Sequence, residues 1–170
     1  MVRPCIAAAI ARNVKISGDF IKQMVQLQEK VCLTFGRKRK EVAIGLYDFD
    51  VMKAPIYYKA FAPHELKFVP LEYKVEMDLD EILKEHPKGK EYAHLLKGCK
   101  KYPILIDSAD VVASMPPIIN SQATGKVTEK TRNLFVEVTG MRQETVNTAL
   151  NVIASALAER NAKIESKCKN

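Results

Sequence analysis

Along this chain the apolar residues switch repeatedly between a strand-like run and helical spacing, and the switches mark its elements. Residues 4–11 form a short, nearly continuous apolar run of strand length, and Ser17 then heads a stretch in which Phe20, Met24, Leu27, Val31 and Phe35 recur three or four apart. A buried strand and a long amphipathic helix are predicted, with Gly36 placed to end the helix. Residues 42–46 predict a second strand. Lys53-Ala54-Pro55 breaks the chain, residues 56–61 resume an extended pattern, and Pro63 and Pro70 interrupt it again, so the middle third reads as loop-rich.

Asp78 with Glu81 three residues later makes a capping box that opens a helix carrying Ile82 and Leu83, which Pro87 should stop. A further helix is predicted over residues 88–97, with Tyr92, Leu95 and Leu96 inward. Residues 104–106 and 111–113 read as short strands of a hairpin around the polar turn from Asp107 to Asp110. Pro116-Pro117 fixes an extended backbone and removes two amide donors, which predicts a rigid wall, or simply a rigid connector, rather than helix or central ladder. Around Phe135, alternation puts Phe135, Glu137 and Thr139 on one strand face and Val136 and Val138 on the other. An acid and a hydroxyl beside an aromatic fit either the solvent side of a half-buried strand or the lining of a pocket. The chain closes on a long helix with Val146, Ala149, Leu150, Ile153, Ala156 and Leu157 at its apolar positions, then a polar tail from about residue 163 that reads as frayed. The order of elements predicts a mixed α/β fold with long helices packed on a sheet, as one domain over residues 1–170.

Composition narrows the chemistry. The chain has 170 residues and is 47% hydrophobic and 28% charged, ordinary values for a globular domain able to bury a core without staples. No apolar run approaches the ~18 residues of a membrane helix, and the opening apolar run is too short for a signal peptide. A cytoplasmic, non-membrane protein is expected. The net charge of +7 favours a polyanionic partner. Cys5, Cys32, Cys99 and Cys168 show no CxxC pairing, so neither a zinc site nor a disulfide framework is read, and Cys5 and Cys32 are expected as small core hydrophobes. GxxxxGK, GxSxG and HExxH are all missing. His64, His86 and His94 are scattered, two of them, His86 and His94, on helix surface that looks exposed, where a lone histidine reads as solvated.

Four segments carry a family likeness: Val42-Ala43-Ile44-Gly45-Leu46-Tyr47-Asp48-Phe49-Asp50, His86-Pro87-Lys88-Gly89-Lys90-Glu91-Tyr92, residues 114–120 and residues 133–140. In this order they resemble the editing domain of the archaeal and eukaryotic phenylalanyl-tRNA synthetase beta subunit, over residues 3 to about 160. The resemblance implies hydrolysis of tyrosine esterified to tRNA(Phe). A pocket built for phenylalanine rejects an added hydroxyl by only about 100-fold, so a second site must clear the errors.

The same resemblance assigns editing-site roles to Leu105, Ser114, Glu137 and Thr139. Leu105 would shape the ring pocket. Ser114 and Thr139 would orient water, the ester or the terminal ribose, and Glu137 would accept the phenol hydrogen or position water. Backbone amides near Gly45 or Gly140 are candidate donors to the developing oxyanion. Glu137 stands where many archaeal relatives have Asp, and Tyr47 where some eukaryotic relatives have His. The basic run Arg37-Lys38-Arg39-Lys40 is either a solvated surface or a tRNA phosphate contact. No metal or organic cofactor is implied for editing. ATP and Mg, and aminoacylation itself, would belong to the full synthetase. The implied partners are the tRNA(Phe) acceptor end, the rest of the beta subunit and the alpha subunit. The alternatives are a non-catalytic tRNA-binding or structural module, and a free-standing deacylase acting in trans.

Overall fold

The computed structural model describes residues 3–166. In chain order, strand β1 (Cys5–Arg12) leads to helix α1 (Gly18–Leu33) and strand β2 (Val42–Asp48). Ser17 caps α1 by accepting the Phe20 amide at 3.2 Å. Phe20 and Met24 are buried as their spacing predicts, but the helix ends at Leu33 and Phe35 lies outside it, 46% exposed. Gly36 sits past the end, where a Cβ would collide with the carbonyls of Cys32 and Val42. The chain must turn there with its backbone in contact with itself, so the residue is glycine.

Next come β3 (Tyr57–Phe61), β4 (Lys67–Phe68), β5 (Met77–Asp78), α2 (Leu79–Glu85) and α3 (Pro87–Tyr92). The capping box forms: the Asp78 carboxylate accepts the amides of Asp80 and Glu81, and the Glu81 carboxylate accepts the Asp78 amide. Pro87 ends α2 and also begins α3, since its missing N–H is no loss in a first helical turn. The helix expected over 88–97 is therefore shorter, and continues as a 3-10 turn over Ala93–Leu96. Strands β6 (Tyr102–Ile106) and β7 (Val112–Met115) make the expected hairpin. The Pro-Pro pair stays out of helix and ladder as expected, and acts as a connector rather than an extended wall. It occupies the tight turn joining β7 to β8 (Ile119–Asn120), in which the Ile118 amide donates to the Met115 carbonyl at 2.7 Å. A turn needs few ladder donors, so the two missing amides cost little there. A short helix α4 (Gln122–Gly125), strand β9 (Leu134–Gly140), helix α5 (Gln143–Ala158) and strand β10 (Lys163–Ser166) complete the chain.

The tail from residue 163 is thus not frayed up to Ser166. It pairs with β1, setting Ile164 opposite Ala11 and Glu165 opposite Ile10. Its polar residues suit an edge strand with one flank in water. Residues 167–170, with Cys168, lie outside the described residues.

The chain divides into two compact units, residues 51–126 and residues 3–50 with 127 onward. The second contains an antiparallel sheet of order β10-β1-β9-β2. Ala7, Ala9, Ala11, Val42, Ile44, Leu46, Leu134, Val136 and Val138 point from it into one core with the apolar stripes of α1 and α5. The alanines of β1 keep the middle of that sheet thin enough for helices to approach closely. The first unit has a sheet of order β3-β6-β7-β8 and a two-stranded ladder of β4 and β5. Its core gathers Phe68, Leu79, Ile82, Tyr92, Leu96, Ile104, Ile106 and Met115. The mixed α/β class read from the sequence is the observed one. No helix among the described residues is long and apolar enough to cross a membrane.

Candidate functional site

Strand β9 sets the geometry in its unit. Alternation sends Leu134, Val136 and Val138 into the helix-covered core and leaves Phe135, Glu137 and Thr139 on the opposite face. In register, Glu137 lies between Ala8 of β1 and Gly45 of β2. Two small neighbours leave room for a long carboxyl side chain. Glu137 is nevertheless 2% exposed and Thr139 fully buried, so this face is not the solvent side that alternation alone permits.

Gly45 also makes room for Tyr47, two residues further along the same face. A Cβ at position 45 would collide with the hydroxyl end of the Tyr47 side chain, so the glycine lets that ring lie back along β2. From there the Tyr47 hydroxyl donates to Glu137 Oε2 at 2.8 Å, and the ring packs on Phe135 with centroids 5.8 Å apart. Tyr47 is itself wholly buried. The other carboxyl oxygen, Glu137 Oε1, is buried and has no hydrogen-bond partner among the described residues. Burial penalises the charged form and pushes the Glu137 carboxyl up to about 7, against the Tyr47 and Thr139 hydroxyls and the Arg3 guanidinium, which favour the carboxylate.

Arg3, 4% exposed, ties this corner together. Its Nε donates to Thr139 Oγ1 at 3.2 Å and its Nη2 to the Thr139 carbonyl at 2.6 Å, while Nη1 donates to the Arg39 carbonyl at 2.9 Å. The basic run is therefore fastened rather than loose. Arg37, Lys38 and Arg39 all adopt left-handed backbone, with φ of 46°, 54° and 66°, which costs about 1–2 kcal/mol per residue. Their amides return to α1: Arg37 to the Thr34 carbonyl, Lys38 to Leu33 and Arg39 to Cys32, at 3.0–3.1 Å. The result is a rigid knuckle that turns Arg37, Lys38 and Lys40 outward, with Arg39 half-buried.

Gly45 and Gly140 both lie on paired strands, and the close approach each permits is to the protein itself. Gly45 accommodates the Tyr47 ring, and Gly140 accommodates the Glu41 carbonyl and the Val146 side chain. Leu105 and Ser114 belong to the other unit, where they are directly opposed on β6 and β7 and both 1% exposed. They share a sheet face distinct from the one on which Ile104 and Ile106 join the core. A hydroxyl and an apolar side chain are thus presented side by side.

His86 corrects an expectation. It is buried rather than solvated, its Nδ1 accepts the Lys88 amide at 3.1 Å to cap α3, and it packs on Tyr73. Burial lowers its pKa, as it must for a ring nitrogen that accepts a hydrogen bond. His64 is exposed and pairs with Asp78 at 2.9 Å. A surface groove along α1 and α5, lined by Leu27, Val152 and Glu159 among others, includes none of the expected site residues.

Sequence reasoning did not assign Tyr47 or Arg3 to the site. Tyr47 was detectable, because a glycine two residues before a tyrosine on one strand face leaves space for the ring to fold back. Arg3 was not, since its partners lie far along the chain.

The family model of the B3/4 domain matches residues 3–166. The chain belongs to the B3/4 domain family. It is 54% identical over 165 residues to the phenylalanine–tRNA ligase beta subunit of Thermococcus sibiricus and 56% identical over 165 residues to that of Pyrococcus horikoshii. Each alignment covers 97% of this chain and 30% of the relative, so this B3/4 domain spans about 30% of the length of the curated relatives it matches. It is also similar to the crystal structure of an N-terminal fragment of the Pyrococcus horikoshii phenylalanyl-tRNA synthetase beta subunit. The TM-score is 0.93 at 56% identity, over 96% of this chain and 47% of that one. The likeness first seen in four motifs thus extends through both units.

Proposed function

We propose that this B3/4 domain is the editing module of a phenylalanyl-tRNA synthetase beta subunit and hydrolyses the ester of tyrosine mischarged onto tRNA(Phe). The observation that carries the reading is Glu137 Oε1, a buried carboxyl oxygen without a partner among the described residues, on a strand face that also bears Ala8, Gly45 and Phe135. A phenol hydroxyl satisfies that oxygen and a phenylalanine ring leaves it bare. An unsatisfied buried polar group costs about 1–3 kcal/mol, a preference for tyrosine of roughly 5- to 150-fold. This sign is opposite to that of a pocket shaped for phenylalanine, and opposite preferences are what two successive sieves require.

The aminoacyl ester is already activated, so an oriented water and a few donors to the oxyanion suffice, with no metal or organic cofactor. ATP and Mg serve the aminoacylation performed elsewhere in the synthetase. The tRNA acceptor end delivers the ester, and the rest of the beta subunit and the alpha subunit are the protein partners. The similarity to beta subunits of phenylalanine–tRNA ligases supports these assignments.

The test is single-turnover deacylation of Tyr-tRNA(Phe) and Phe-tRNA(Phe) by saturating protein, for the wild type and Glu137→Ala, with tRNA affinity measured alongside. The wild type clears the tyrosyl ester at least about fivefold faster, and the variant loses that preference at unchanged tRNA affinity. Equal slowing on both esters would instead assign Glu137 to the activation of water. No hydrolysis by tRNA-saturated wild type would sink the editing reading in favour of a tRNA-binding or structural module.

A further inference from the structure

Tyr47 is the protein's own phenol, and it already sits on Glu137. Its hydroxyl is 2.8 Å from Oε2, its ring is fully buried, and the space it fills exists because residue 45 lacks a side chain. We propose that Tyr47 is a positioning residue for Glu137: seated over Gly45, its hydroxyl engages Oε2 and so presents Oε1 as the single open acceptor for the hydroxyl of an incoming phenolic ligand. This rests on the editing reading and adds to it the element that orients the selecting group. The carboxylate then takes two phenols, one on each oxygen, one from the protein and one from the ligand.

The electrostatics agree with the geometry. A carboxylate with both oxygens bare in an apolar site would keep its proton at neutral pH and present a hydroxyl donor in place of an acceptor. The Tyr47 hydrogen bond opposes this by stabilising the charged form, as do the Thr139 hydroxyl and the Arg3 guanidinium, while desolvation favours the neutral acid. A further titratable neighbour is Cys32 of α1, whose thiol is pushed up by burial and stays neutral. Tyr47 is the one of these groups with a direct hydrogen bond to a named carboxyl oxygen among the described contacts. It therefore sets which oxygen is open and, with the Thr139 hydroxyl and the Arg3 guanidinium, helps set the pH at which that oxygen can accept.

Tyr47→Phe keeps the ring and removes only the hydroxyl. The Glu137 side-chain carboxyl carbon, labelled with 13C and assigned by its loss in Glu137→Gln, is titrated by NMR in wild type and variant. In parallel, single-turnover deacylation of the tyrosyl and phenylalanyl esters is followed at pH 7 and pH 8.5. Loss of a hydrogen bond to a charged group should raise the Glu137 midpoint by about one unit or more. The preference for the tyrosyl ester should fall about fivefold at pH 7, where the ionised fraction drops from about one half to about one tenth, and recover at pH 8.5, a rescue that a mere packing role would not give.

An unchanged midpoint overturns the proposal, as does a preference lost equally at both pH values. If the midpoint moves while the wild type distinguishes neither ester, the hold of Tyr47 on Glu137 is upheld and the editing reading fails. Should the variant not fold, 3-fluorotyrosine placed at position 47 tests the same contact with the opposite sign. Its stronger donor lowers the midpoint, and no movement overturns the proposal.

Discussion

Replacing Glu137 by glutamine should make this protein more stable at alkaline pH than at acid pH, relative to wild type. The carboxyl rises from an ordinary value of 4.5 to about 7 in the folded state because it is buried. Below pH 4.5 it is protonated in both folded and unfolded chains, and the folded state bears no cost. Between 4.5 and 7 the folded state holds a proton that the unfolded state releases, so stability declines as pH rises. Above 7 the full cost of a buried carboxylate is present. A shift of about 2.5 units at 1.36 kcal/mol each is on the order of 3 kcal/mol, and the full burial of the group leaves little room for solvent to reduce it. Glutamine nearly preserves shape, can still accept the Tyr47 hydroxyl and does not titrate. Urea unfolding of both proteins at pH 4 and pH 8.5 should therefore show the variant gaining about 3 kcal/mol on wild type between the two conditions. The comparison cancels the other titrating groups. A gain under about 1 kcal/mol would mean that water or an internal partner reaches Oε1 in solution, and the case for an open buried acceptor would fall with it.

Gly45→Ala drives a Cβ against the hydroxyl end of Tyr47 and should destabilise the fold by about 1–3 kcal/mol; unfolding curves should show most of that cost disappearing in the Gly45→Ala, Tyr47→Ala double variant, where the clash is gone. Asp107 is buried and accepts the amides of Lys53, Ala109 and Val111 at 2.8–2.9 Å. Desolvation pushes its pKa up, but these donors outweigh it and hold the carboxyl below its ordinary value. Its contribution is accordingly present above the unfolded pKa and lost as pH falls through the lower folded one. Asp107→Ala should cost about 3 kcal/mol at pH 7 and progressively less on acidification, as thermal unfolding across pH would report. Alanine at Arg37, Lys38 and Lys40 should weaken tRNA binding and flatten the slope of log affinity against log salt by up to about 2, as fluorescence titration would show; an unchanged slope would return the knuckle to a plain solvated surface.

Much of the architecture was legible because it is written in local periodicity. The α5 stripe and the Asp78–Glu81 capping box are each specified within a few residues, and both formed as read. Alternation correctly grouped Phe135, Glu137 and Thr139, yet alternation reports which residues share a face and not what covers that face. The burial of Glu137 was open for that reason. Its contact with Tyr47 spans 90 positions, and only the glycine at 45 gave a local sign of it. The departures have similar causes. Residues 163–166 look like a tail because an edge strand exposed on one flank tolerates polar side chains, and its pairing with β1 is set by tertiary contact alone. His86 looked solvated because capping and stacking depend on Lys88 and Tyr73 being brought to it.

The unit formed by residues 3–50 and 127 onward is interrupted in sequence but fastened where the interruption occurs. The Asp50 carboxylate accepts the amides of Arg132 and Asn133 and the Asn133 side chain at 2.6–3.2 Å, and the Phe49 amide donates to the Asn133 carbonyl at 2.9 Å. For this frame, residues 51–126 amount to one long excursion whose departure and return are clasped within a few residues of each other. Loop-closure entropy grows only as the logarithm of length, so shortening the excursion roughly fifteenfold would relieve just about 2 kcal/mol. Conversely, enlarging it would cost little. The clasp thus makes closure of the sheet that carries Glu137 nearly indifferent to how long the inserted unit is.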